Sequence, residues 1–293
     1  MSYFFKHIKL NNFKLFNFKL LALIFVLFIC SICNIVIFNT KIIAFNIYRE
    51  DHAYRSCSKC VQYNRYNKYN GYLNDSYLNL KQKVTPNTAV FAFDLHDVLF
   101  SKNYKNIIHP AFKALKKGMF WYILNPIFLF KAVSLSMKNK IWEDIYYTLC
   151  QDYPEFLNFE EDFFDISNSC CTPICTVIDI VKELKNRGYK LFLLSNIGFN
   201  SYENLKKRFM SILSLFDGVY LPNKSNDYHH KPSPEYYTGF IRYLDQAGLR
   251  NKQVIFIDDS VKNLQGARNS GISGIHFKNT EQLDYVLKSL SVI

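Results

Sequence analysis

Short apolar runs that end in polar residues, separated by stretches with helical spacing, constrain this chain more than any other feature. The first run is Ala89–Phe93, which leads into Asp94 within VFAFDLHDVLFS. A continuous run of this length, rich in Val and Phe, reads as a strand buried on both faces of a parallel sheet. From Pro173 onward the pattern repeats. Pro173 suits a helical first turn, Val177, Ile178, Val181 and Leu184 form one apolar face, and Gly188 stops that helix. Lys190–Asn196 (KLFLLSN), Val219–Leu221, Gln253–Ile257 and Gly274–Phe277 read as further strands. Between and after them, 204–215, 234–247, 261–270 and 281–290 read as helices. Strands alternating with helices imply a parallel sheet with right-handed crossovers.

Such a sheet brings the carboxyl ends of its strands to one edge, where ligands bind. Four polar clusters fall at those ends or in the loops that follow: Asp94 with His96, Ser195 with Asn196, Lys231, and Asp258 with Asp259. Each has a plain structural reading alone. Asp94 can be a turn residue, Lys231 a solvated charge, and Asp258-Asp259-Ser260 a helix cap. Together they form an inventory for phosphoryl transfer. A carboxylate can serve as covalent nucleophile. Further carboxylates can hold Mg²⁺, which prefers oxygen ligands. A hydroxyl, backbone amides and an ammonium can bind the phosphoryl oxygens.

The rest of the chain divides around this core. Residues 88–101 and 173–293 form the α/β core, and 102–172 read as a helical insert. Its most apolar stretch, Phe120–Phe130 (FWYILNPIFLF), is too short to cross a bilayer. Leu20–Phe38 carries no charge and is long enough to span a hydrocarbon core. Residues 1–19, with Lys6, Lys9, Lys14 and Lys19, precede it. We expect a single-pass, uncleaved membrane anchor at 20–38, with export after signal cleavage as the alternative. Residues 39–87 are a polar linker that contains Cys57 and Cys60, a spacing open to a local disulfide or to two unrelated thiols. The net charge is +12 across 293 residues, but the Lys and Arg residues are scattered. That argues for an anionic small substrate and against nucleic acid. Oligomeric state is not legible.

From about Ala89 to Phe277 the chain resembles the haloacid dehalogenase superfamily of hydrolases. FDLHDVLF resembles the family's first motif, LLSN its second, HHKPSPEYY its third and IFIDDSVKNLQGARNSGI its fourth. The fourth is the most specific, because Asn263, Gly266, Ala267 and Gly271 follow at the family's spacing. The resemblance implies an α/β fold, a Rossmann-like parallel sheet with helices on both faces, with 102–172 as a cap over the site. It implies that Asp94 is the nucleophile forming an aspartyl-phosphate. Ser195, Asn196 and Lys231 would bind the phosphoryl group of a small phosphorylated metabolite. Mg²⁺ would be held by Asp94, the His96 carbonyl, Asp258 and Asp259, with Asn263 supporting the acidic loop.

His96 stands where family phosphatases usually carry a second Asp, the general acid and base, and Asp97 stands where Gly is usual. With an ordinary pKa near 6.5, a histidine can make both proton transfers near neutrality. The substitution leaves open another hydrolase chemistry on this fold, dehalogenase-like or phosphonatase-like, or a catalytically weakened anchored binding protein. A phosphonatase would need an insert lysine, and Lys113, Lys116 and Lys117 are placed for it by location alone.

Overall fold

The computed structural model describes residues 76–77, 80–137 and 141–293. The basic segment 1–19, the expected span 20–38, and Cys57 and Cys60 lie outside the described residues. Two compact units emerge, one holding 104–140 and 145–169, the other including 76–103, 141–144 and 170–293.

The α/β unit opens with a short strand β1 (Ser76–Tyr77), then β2 (Ala89–Phe93) and β3 (Phe100–Lys102). β1 lies inside the stretch expected as linker. It pairs antiparallel with the last strand, a contact between residues some two hundred positions apart that local pattern does not reveal.

The helical unit follows, with α1 (Ile108–Ala114), α2 (Phe120–Ile123), α3 (Pro126–Met137), α4 (Trp142–Asp152) and α5 (Glu160–Ser169). Gly118, at φ 109°, makes the break between α1 and α2 in a conformation that side chains other than glycine resist. The unit's core is aromatic. Tyr122 and Phe128 pack on Phe156 with ring centroids 4.8 and 5.0 Å apart. Lys117 binds both carboxylate oxygens of Asp162, at 2.9 and 2.8 Å.

The chain then enters β4 (Cys171–Pro173), which pairs antiparallel with β3. Pro173 therefore ends a strand opposite Phe100 and does not open a helix. α6 starts at Cys175, after the Ile174 amide has bonded Leu99 O at 2.9 Å. After α6 (Cys175–Asn186) come β5 (Lys190–Leu194), α7 (Phe199–Arg208), α8 (Met210–Leu213) and β6 (Gly218–Tyr220). The single helix expected over 204–215 is thus two, broken at Phe209, whose backbone leaves helical geometry. α9 (Pro234–Gln246), β7 (Gln253–Asp258), α10 (Val261–Asn269), β8 (Ser273–His276) and α11 (Thr280–Ser289) complete the unit.

The sheet order is β1-β8-β7-β2-β5-β6, with every pair parallel except β1–β8. β2 lies between β5 and β7, in register at Phe93 with Leu193 and with Ile257. Side chains alternate across it. Val90 and Ala92 join Tyr236, Phe240 and Leu264 of α9 and α10 on one face. Phe91 and Phe93 point the other way, onto the rings of Tyr189 and Phe216. All five β2 residues are buried, which explains why this strand reads as a continuous apolar run.

Candidate active site

Asp94 is the first residue beyond β2, and its amide bonds Ile257 O of β7 at 2.9 Å. That bond fixes the end of the central strand against the strand carrying Asp258. Lys231 Nζ lies 2.9 Å from Asp94 Oδ1 and 2.7 Å from Asp258 Oδ2. It also sits 5.1 Å from the centroid of the Phe256 ring. Lys231 is 3% exposed, so it is no solvated surface charge. Burial pulls its ammonium down, but Asp258 and Asp94 outweigh burial and hold it above the ordinary lysine value.

The groups around this triad are tied down in turn. Asp258 accepts from the Ser260 amide at 2.8 Å and from Asn263 Nδ2 at 3.0 and 3.1 Å. Ser260 caps α10 through the Asn263 amide. Asn196 Nδ2 donates to Lys231 O at 2.9 Å, while the Lys231 amide donates to Asn196 Oδ1 at 2.8 Å. The side chain expected to face phosphate is thus committed to the Lys231 backbone, and Asn196 is placed as a positioning residue. Gly266 on α10 has a comparable role. A Cβ there would meet Pro232 O at 2.4 Å, so its absence lets the helix approach the Lys231 loop. Ser195 is buried, and its carbonyl accepts from the Tyr236 hydroxyl at 2.9 Å. Sequence reasoning missed Tyr236, although its position on a helix after the Lys231 loop offered a clue.

Asp94, Asp258 and Asp259 each offer a carboxylate oxygen, all within 4.8 Å of one another. Crowding of this kind favours protonation or a cation. Burial, then Asp94 and Asp258, push the Asp259 carboxyl up to about 7. Asp259 is solvent-exposed, and water screens part of that effect. Asp258 already spends its oxygens on Lys231, Ser260 and Asn263, which leaves Asp94 and Asp259 as the freer pair. An all-oxygen set with few carboxylates fits Mg²⁺, which keeps waters and substrate oxygens in its shell.

The His96 imidazole is not part of that carboxylate cluster. Burial, then Lys102, pull its pKa down from 6.5 to about 4, against the smaller upward pull of Asp94 and Asp97. Held that low, the imidazole is neutral at pH 7. Asp97 has φ 59° and bonds Lys102 Nζ at 2.8 Å. A left-handed backbone explains why glycine suits this position and why Asp is tolerated.

The family model for haloacid dehalogenase-like hydrolases matches residues 92–277, more than half of the chain. The chain belongs to this hydrolase family. The matched region holds every residue described above at the edge of the sheet. A HAD family enzyme from Bacteroides thetaiotaomicron has been crystallised as a magnesium complex. Among curated proteins, the sesquiterpene phosphatase astK of Aspergillus oryzae is 24% identical over 117 residues. That match takes in 40% of this chain and 57% of the phosphatase, so the chain spans little more than half the length of that relative. Among solved structures, a HAD family enzyme from Bacteroides thetaiotaomicron, in complex with magnesium and inorganic phosphate, is 22% identical. The match covers 65% of this chain and 94% of that one, with a TM-score of 0.44. An L-2-haloacid dehalogenase from Xanthobacter autotrophicus is 18% identical, covering 70% and 84% of the two chains with a TM-score of 0.41.

Proposed function

We propose that this hydrolase is a Mg²⁺-dependent phosphatase of a small phosphorylated metabolite, acting through an aspartyl-phosphate on Asp94. The observation that carries the reading is the buried Lys231 ammonium held between Asp94 and Asp258. A cation fixed beside a strand-end carboxylate is placed to attract a phosphoryl group and to stabilise the charge that develops on it. A carboxylate oxygen of Asp94 attacks phosphorus, and the leaving oxygen departs with the bonding electrons. Water then attacks phosphorus, phosphate leaves, and Asp94 is regenerated. Ser195 and Lys231 bind the phosphoryl oxygens, while Asn196, Asn263 and Gly266 hold the lysine loop and the acidic loop in place. Bound Mg²⁺ would supply charge neutralisation for the phosphoryl group, held by Asp94 and Asp259 with Asp258 adjacent.

A neutral His96 can take the proton from the attacking water. It is a poor source of a proton for the leaving group at neutral pH. The proposed enzyme therefore favours phosphates whose leaving groups need little protonation. The phosphatase reading is preferred over phosphonatase chemistry because the oxygen-rich site suits a metal-assisted ester hydrolysis; of the three insert lysines, Lys117 is engaged by Asp162. The insert 102–172 would act as the cap that selects substrate, and residues 20–38 would tether the enzyme to a membrane.

The test is phosphate release by the full-length protein from a panel of monoesters, with and without Mg²⁺. We expect Mg²⁺-dependent turnover that Asp94→Asn removes. Turnover that ignores both Mg²⁺ and Asp94 would overturn the reading.

A further inference from the structure

The helical unit divides sharply by charge. Residues 104–140 contain seven lysines and no Asp or Glu, whereas 145–169 contain six Asp and Glu and no Lys or Arg, and Lys117 and Lys131 pair across with Asp162 and Asp152. The basic half also carries the apolar stretch 120–130. Trp121, Leu124, Ile127 and Phe130 are 67, 48, 72 and 77% exposed. Three of these are the most exposed large apolar side chains among the described residues, and all lie within ten positions. A cluster of this kind marks an interaction surface, whereas scattered single exposures do not.

The ridge is built and held. Asn125 Oδ1 accepts from the amides of Ile127 and Phe128 at 3.0 and 3.2 Å, capping α3. Ile123 and Phe128 of the same stretch are buried, and the Phe128 ring packs on Tyr122 at 5.3 Å and on Phe156 at 5.0 Å. The inward side chains fix the segment while the outward ones remain apolar. α3 is therefore apolar on both its inner and outer sides, an arrangement water disfavours. The helical stretches before and after Asn125 meet at 98°, so the exposed residues sit at a corner. Among the described residues no single helix is long and apolar enough to cross a membrane. Lys113 and Lys116 are exposed on the same half.

We propose that this corner of the insert docks on an anionic lipid surface, with Trp121, Leu124, Ile127 and Phe130 entering the headgroup–acyl boundary. Tryptophan prefers that boundary, shallow apolar ridges flanked by lysine lie in it, and the exposed Lys113 and Lys116 complement anionic headgroups.

The chain contains two tryptophans, so Trp142→Phe leaves Trp121 as the sole tryptophan in the full-length protein, excited selectively at the red edge of the absorption band. Its fluorescence is followed as vesicles of phosphatidylcholine and phosphatidylserine, with or without brominated acyl chains, are added. Because residues 20–38 would tether the protein regardless, quenching of Trp121 is the readout and co-sedimentation is not. We expect brominated lipid to quench Trp121 and acrylamide access to fall. Neutral vesicles or high salt should weaken the quenching about tenfold. Ile127→Asp with Phe130→Asp, both at exposed positions, should weaken it about a hundredfold while the thermal melt stays in place. Emission that ignores brominated lipid overturns the proposal. So does Trp121 already shielded from acrylamide without lipid, the sign of cover by residues 20–38 or a second copy. Equal quenching on neutral and anionic vesicles overturns the charge argument.

Discussion

Lys231 is the residue on which the site turns, because it alone separates two carboxylates in a water-poor setting. Lys231→Met would leave Asp94 and Asp258 facing each other without a cation. We expect a loss of about 3–5 kcal/mol in urea unfolding, and an inactive protein. Asn196→Ala tests positioning. Its removal frees the backbone of Lys231, and we expect kcat to fall about a hundredfold, the scale of small misplacements at a reacting centre, with a loss of about 1–3 kcal/mol in stability from the unpaired backbone groups. His96 gives a pH prediction. Its native pKa, at about 4, lies below its unfolded value near 6.5. The unfolded chain therefore takes up a proton first, and stability from this group is present above pH 6.5 and lost as pH falls towards 4. His96→Gln should flatten that part of the stability profile measured by thermal melts across pH. For turnover, His96→Asp should speed hydrolysis of alkyl phosphates more than of aryl phosphates, because alkoxide leaving groups need the proton that a neutral imidazole lacks.

At the scale of elements, close approach of α10 to the loop after Lys231 depends on Gly266, where a Cβ would lie 2.4 Å from Pro232 O. Gly266→Ala should cost about 1–3 kcal/mol and reduce activity, read as a joint fall in melting temperature and kcat. Strand ends were legible in the sequence because their burial writes itself as continuous apolar runs, as in Ala89–Phe93. Asp94, Lys231 and the Asp258–Asp259 pair followed from strand position and order. What was not legible depends on contacts between distant residues. The turn of Asn196 towards Lys231, the pairing of β1 with β8, and the placement of Pro173 in β4 all arise from partners tens to hundreds of positions away. The depressed His96 pKa has a nearer cause, burial together with Lys102 six positions on, and neither is visible in the motif itself.

For the molecule as a whole, the account rests on one edge of a six-stranded sheet collecting carboxylates, an ammonium and a buried serine from four separate stretches of chain. The crowded carboxylates also predict linkage between metal and protons. With Asp259 pushed up to about 7, Mg²⁺ binding should release a proton near neutrality and tighten as pH rises from about 6 to 8, as read by calorimetry in two buffers. The most direct measurement of the central claim is to quench the full-length protein in acid during turnover of a phosphate monoester with Mg²⁺, reduce with borohydride, and map the modified peptide. The account predicts homoserine at position 94, because hydride reduces the acyl carbon of the aspartyl-phosphate and phosphate leaves, and none in Asp94→Asn. Sustained turnover with no homoserine at position 94, and undiminished in Asp94→Asn, would contradict it.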